Sequence, residues 1–233
     1  ACLGVFGPKS RSLLTEISGD YFQTNNFPFS TGKNITIKNI KIWAQRLSYV
    51  GELGWELYIP TKKAREIYKT IVDIGKKYNL CHAGVHAMDI LRMEKGYLHW
   101  GHDISPEENQ YEAKLNFAIS YKKKVDFIGK DILVKEKGKK PKKILFTLSL
   151  KKSKPGFPLM LHDEPVYLDN KLIGRTTSGN YSFNYKKNLV FCYINSEVNL
   201  SKGIIEIEVE KVRYEAIIEK EPLHDSKNKL IKS

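Results

Sequence analysis

The chain has no apolar run approaching the roughly 20 residues that cross a bilayer. Its first residues, ACLGVFGPKS, lack both an initiator methionine and the basic-then-apolar plan of a signal peptide. These absences point to a cytoplasmic protein, or to a piece of a longer one. Cysteine is scarce. Cys2, Cys81 and Cys192 lie far apart with no CxxC pair, which argues against a disulfide scaffold or zinc ribbon and for reduced, mostly buried thiols. Neither GxGxxG between a strand and a helix nor GxxxxGK(S/T) occurs, so no nucleotide-binding signature is present. HExxH and GxSxG are missing too. His82 and His86 in HAGVH stand four apart, but Gly84 lies between them and no third ligand accompanies them, so no metal site is expected. Ser178 in TTSGNYS lacks the strand-to-helix context of a nucleophile and is expected in a turn between strands. His99 and His102 flank Trp100-Gly101 as polar residues of a loop.

What is abundant is lysine. The net charge is +13, a balance compatible with nucleic acid or an anionic ligand. The lysines concentrate in YKKKVDF and KEKGKKPKK, without the interleaved aromatics of a single-strand binder. A solvated lysine surface is the expectation, with no nucleic-acid and no membrane partner.

Ala1 to Phe6 has strand character, and Gly7-Pro8 opens a helix carrying Leu13, Leu14 and Ile17 on one stripe. YFQTNNFPFSTGKN is a loop, and NIKIWAQRLSYV and GWELYIP are partner strands across a tight turn. Thr61 to Lys77 forms an amphipathic helix with Ala64, Ile67, Ile71 and Ile74 on one face. CHAGVHAMDILRMEKGY predicts a second helix with Val85, Met88, Leu91 and Met93 inward. YEAKLNFAIS predicts a strand, and VDFIGKDILVKEKG a short helix capped by Asp126. From Ile144 onward short strands follow at even spacing, the pattern of a small antiparallel barrel or Greek-key sandwich, and SKNKLIKS closes as a frayed tail. The expected division is residues 1–137 as an α+β region, 138–143 as a basic linker, and 144–233 as the β domain.

One carboxylate stands out. In SYVGELGWELYIP, strand alternation points Trp55, Leu57 and Ile59 one way and Glu56 and Tyr58 the other. Glu56 and Tyr58 face either solvent or a cavity.

Several blocks together resemble one family. YVGELGWELYIP, LRMEKGYLHWGHDISPEENQYEAKLNFAIS and DFIGKDIL look like the folate-binding part of the glycine-cleavage T-protein (aminomethyltransferase) family. The similarity is greatest to the C-terminal half of dimethylglycine and sarcosine dehydrogenases. GVFGPKSRSLL and IGRTTSGNYSFNYKKNLVFCYI resemble further blocks, in order, over nearly the whole chain. The resemblance implies an α+β fold: the C-terminal part of a three-part cloverleaf around tetrahydrofolate, N-terminally incomplete, ending in a small antiparallel β-barrel. It implies transfer of a one-carbon unit to reduced folate, from a methylated-glycine-type amine or from a lipoyl carrier protein.

The family's pterin-binding carboxylate falls on Glu56, able to accept paired hydrogen bonds from adjacent N–H donors. Tyr49, Trp55 and Tyr97 are candidates for flat contact with the ring, and Gly51 and Gly54 for close backbone approach. Two departures stand beside the likeness. Met88 in HAMDI occupies the place of a family arginine, so that contact is not carried over. The family's proposed catalytic aspartate belongs to a segment upstream of these residues, so no catalytic residue is assigned, and Asp89 and Asp103 do not take its place. In the dehydrogenase relatives FAD belongs to a domain further upstream. A stand-alone glycine-cleavage aminomethyltransferase and a non-catalytic folate-binding relative are the alternatives; the KGCYxGQE motif of the tRNA-modification branch is absent.

Overall fold

A computed structural model describes residues 1–233, the side chain of Asp20 excepted. The chain forms two compact units, Ala1–Tyr97 with Pro222–Ser233, and Leu98–Glu221. This differs from the expected division: residues 98–137 belong with the barrel strands, and the last residues return to the first unit.

The first unit holds β1 (Cys2–Phe6), α1 (Ser10–Ser18), β2 (Gly32–Ile37), β3 (Ile40–Gln45), β4 (Gly54–Tyr58), α2 (Thr61–Gly75) and α3 (Val85–Lys95). The strands make one antiparallel sheet in the order β1-β4-β3-β2. Ile35, Ile37, Ile42, Ala44, Trp55 and Leu57 project from its inner face into a core shared with Leu13 and Leu14 of α1 and Ile67 and Ile71 of α2. The alternation of strand side chains makes that face continuous.

β2 and β3 form a hairpin across Lys38-Asn39, both left-handed at φ 47° and 62°, the backbone a two-residue primed turn requires. β3 stops at Gln45, and residues 46–53 bend before β4 begins. The partner strands are therefore joined by a longer connection than the expected tight turn. On α3 the buried apolar residues are Ile90 and Met93, beside buried Arg92, Glu94 and Lys95, whereas Val85 is 73% exposed and Met88 37%. The terminal segment is tied down rather than frayed. Ile231 is buried, and Asp225 accepts from the backbone N–H groups of Lys229 and Ile231.

The second unit holds α4 (Lys130–Glu136) and β5 (Lys143–Leu150), β6 (Pro165–Leu168), β7 (Lys171–Ser182), β8 (Lys187–Asn195), β9 (Ile205–Val209) and β10 (Val212–Glu219). The six strands close into an antiparallel barrel, β10-β5-β8-β7-β6-β9, which settles the expected barrel-or-sandwich choice. Leu148, Val166, Val190, Cys192, Ile194 and Ile207 fill its core. The Asp169-Asn170 hairpin between β6 and β7 again has φ of 47° and 69°.

Residues 111–120 are turns around a short 3₁₀ segment, Asn116–Ala118, not the expected strand. The Asn109 side chain accepts from the N–H groups of Tyr111 and Glu112, a local bond that competes with strand pairing. α4 starts after Gly129, and Asp126 pairs with Lys130 instead of capping the helix. Ser178 lies inside β7 at a bulge, not in a turn. Only Cys192 among the thiols is buried; Cys2 and Cys81 are exposed.

Candidate functional site

β4 lies between β1 and β3, so Glu56 stands near the middle of the sheet. The register places Gly4 on one side of it and Gln45 on the other. In the next row Tyr58 has Cys2 and Trp43 as neighbours, and in the row before it Gly54 faces Phe6. All project from the outer face of the sheet, opposite the core. Glycine at positions 4 and 54 makes room for an aromatic ring beside Glu56. A Cβ added at Gly4 or Gly54 would collide with the Phe6 ring, which lies over both positions.

Glu56 is half-buried, and its Oε2 accepts a 2.7 Å hydrogen bond from the Tyr58 hydroxyl. Among the described residues Oε1 accepts none. The hydrogen bond to Glu56, then burial and the Glu56 charge, push the Tyr58 phenol up to about 12. Although Cys2 is exposed overall, partial desolvation of its thiol, followed by the Glu56 charge, also raises it. The face thus presents a carboxylate with free acceptor capacity, flanked by protonated donors and the aromatic surfaces of Phe6, Trp43 and Tyr58. Trp43 and Tyr58 are 39% and 41% exposed.

The other sequence candidates divide. Trp55 is fully buried, with Phe22 edge-on at 5.1 Å and the guanidinium carbons of Arg11 and Arg46 at 5.3 and 5.6 Å from its ring. It is a core residue on the opposite face from Glu56, which corrects its place among the ligand-lining candidates. Tyr49 and Tyr97 stack on each other, centroids 6.3 Å apart and planes within 14°. Burial, then the Asp225 charge, raises the Tyr97 phenol. Nearby in sequence, Glu52 Oε1 lies 2.8 Å from His224 Nε2, which brings that carboxylate beside the terminal segment. Gly51 has φ 77°, and a Cβ there would press on the Lys95 side chain, so its glycine serves packing.

Asp89 pairs with Arg92 at 2.8 Å. Asp103 is fully buried and accepts from Thr177 at 2.5 Å, Ser178 at 2.7 Å and the His99 N–H at 2.9 Å. Both aspartates hold structure together. His82 bonds Tyr68 at 2.8 Å. No cluster of three or more His, Cys, Asp or Glu suited to a metal occurs among the described residues. A separate hollow of about 890 Å³ in the second unit is lined by His102, Glu108, Lys143, Arg175 and Tyr193. Its charges are largely paired internally, Lys143 with Glu108 at 2.6 Å and Arg175 with Asp163 at 3.3 Å.

Missing from the sequence candidates were Phe6, Gln45 and Cys2, whose positions depend on cross-strand register. Tyr58 was readable as sharing a face with Glu56, from alternation alone.

A four-stranded sheet with helices on its inner face, followed by a closed six-stranded barrel, defines a class that comparison makes specific. Residues 1–123 match the GCVT N-terminal domain and residues 143–225 the glycine cleavage T-protein C-terminal barrel domain. The chain belongs to the glycine-cleavage T-protein family. It is 34% identical to human mitochondrial dimethylglycine dehydrogenase over 95% of its own length and 25% of that protein's. It is also 34% identical to the formaldehyde-forming 4-methylaminobutanoate oxidase of Paenarthrobacter nicotinovorans, over 100% of this chain and 28% of the oxidase. An aminomethyltransferase of Thermoanaerobacter pseudethanolicus is 34% identical over 93% of this chain and 57% of its own length. The chain thus spans about a quarter of the dehydrogenase and oxidase relatives. The crystal structure of the glycine cleavage system aminomethyltransferase T from Bartonella henselae shares the fold, with TM-score 0.81 and 20% identity over 97% of this chain and 60% of that one. No helix among the described residues is long and apolar enough to cross a membrane.

Proposed function

We propose that this chain is the tetrahydrofolate-binding portion of a one-carbon transfer enzyme, part of a flavin-dependent dehydrogenase acting on dimethylglycine, sarcosine or a similar N-methyl amine. The observation that carries the reading is Glu56: a half-buried carboxylate on an interior strand, with Oε2 held by Tyr58 and Oε1 without a protein partner among the described residues. A carboxylate so placed suits the adjacent N–H donors of a pterin edge. The exposed rings of Trp43 and Tyr58 offer flat apolar contact. Bound tetrahydrofolate would supply the acceptor for the one-carbon unit; Glu56 would bind and orient it. The stacked Tyr49 and Tyr97 are a second aromatic surface of the same unit. FAD would be held by sequence outside these residues.

The likeness to dimethylglycine dehydrogenase and to the methylaminobutanoate oxidase supports the N-methyl amine class. The equal identity to a bacterial aminomethyltransferase supports a second reading, a stand-alone glycine-cleavage enzyme that takes its aminomethyl group from a lipoyl carrier protein.

The test is a product assay with the full-length protein. On the first reading, dimethylglycine or sarcosine reduces the flavin, and added tetrahydrofolate lowers the yield of free formaldehyde. No flavin and no turnover of either amine, with activity on the aminomethylated carrier, would establish the second reading. Formaldehyde release unaffected by tetrahydrofolate would reject the folate role.

A further inference from the structure

We infer that Tyr58 is a positioning residue for Glu56: its hydroxyl occupies one lone pair of one carboxylate oxygen and so fixes the orientation in which both oxygens meet the pterin edge. This rests on the folate reading above and assigns a second residue to the same site.

A glutamate on an open sheet face has several soft torsions and samples many orientations. A ligand that needs the carboxylate in one orientation must freeze it, and that ordering opposes binding. Here the ordering is built in. Tyr58 lies two residues on along β4, on the same face, and donates to Oε2 at 2.7 Å. The bond occupies one acceptor position and leaves Oε1 uncommitted. Opposite Glu56, the Phe6 ring lies over Gly4 and offers the carboxylate no competing hydrogen bond.

The donor is held in its useful form. With the phenol pushed up to about 12, the hydroxyl keeps its proton throughout the neutral range. Cys2 lies directly opposite Tyr58, and partial desolvation followed by the Glu56 charge raises its thiol, which disfavours a second anion beside the hydroxyl.

Tyr58→Phe separates the hydroxyl from the ring, since phenylalanine keeps the flat surface and the sheet packing. The experiment is a double-mutant cycle in the full-length protein. Calorimetry measures the Kd for 5-formyltetrahydrofolate with wild type, Tyr58→Phe, Glu56→Ala and the double variant. Thermal unfolding of each verifies the fold. Tyr58→Phe should raise the Kd about fivefold to tenfold, the scale of one ordered side chain. In the Glu56→Ala background the same change should move the Kd less than about twofold, because nothing remains to position.

A merely structural or stacking role would give the same loss in both backgrounds and overturns the inference. So does a wild-type Kd for Tyr58→Phe when Glu56→Ala is impaired; in that case the folate site stands and only the positioning role falls. A wild-type Kd for Glu56→Ala removes the carboxylate from the site, and the positioning role with it.

Discussion

Lys95 and Asp225 meet at 3.2 Å with side chains 3% and 4% exposed, a buried ion pair that fastens the terminal segment to the first unit. Removing one partner of such a pair leaves a stranded charge, at a cost of about 3–5 kcal/mol. Asp225→Ala should therefore destabilise the first unit by that order in urea unfolding followed by tryptophan fluorescence. A loss under about 1 kcal/mol would contradict the pairing. The pH dependence has a definite sign. Burial alone would raise the Asp225 carboxyl, but the N–H groups of Leu230 and Ile231, the Lys95 ammonium and the Lys229 N–H bring it down to about 2. An unfolded aspartate titrates near ~3.9. The folded value is depressed, so the stabilisation is complete above about pH 4 and is lost as the pH falls towards 2. Wild type should lose this increment over that window, and Asp225→Ala should show a flatter acid limb there. Nothing in the local sequence of SKNKLIKS signals this fastening, because Lys95 lies 130 residues away.

Gly174 on β7 illustrates how the elements depend on close approach. A Cβ there would overlap the backbone carbonyl oxygen of Tyr193 on β8. Gly174→Ala should force the two strands apart and cost about 1–3 kcal/mol, as overpacking does. Thermal unfolding checks it, and an unchanged midpoint would show that the strands tolerate the separation. The barrel was legible in the sequence because its strands are short, apolar and punctuated by turns such as Asp169-Asn170. The helices α1 and α2 were legible from their apolar stripes, with Leu13, Leu14, Ile67 and Ile71 buried as expected. The β2–β3 hairpin was not, since loop-type residues run directly into β2 and Lys38-Asn39 is a weaker signal than Asn-Gly. Residues 111–120 misled because strand propensity lost to the side-chain bonds of Asn109. The inward face of α3 was displaced because one helical stripe admits more than one choice of buried edge; Ile90 and Met93 occupy it. At the site, alternation within β4 sufficed to pair Glu56 with Tyr58 and to set Trp55 on the other face. Gly4 and Gln45 needed the register of strands distant in the sequence.

Across the whole chain, a net charge of +13 gives a general attraction for anions. It sets no specificity by itself. On the proposed reading, specificity falls to the outer sheet face, where Glu56 is the negatively charged member of two adjacent rows with Gly4, Gln45, Cys2 and Tyr58. Family membership rests on both units, with the N-terminal model covering residues 1–123 and the barrel model 143–225. The folate reading rests on one carboxylate. Its most direct test is calorimetry of 5-formyltetrahydrofolate with the full-length protein and its Glu56→Ala variant. Removing a hydrogen-bonding charged group should weaken binding by about 1.5–3 kcal/mol while the fold is retained. Unchanged affinity in a folded Glu56→Ala protein would contradict the assignment of Glu56 as the pterin-binding residue.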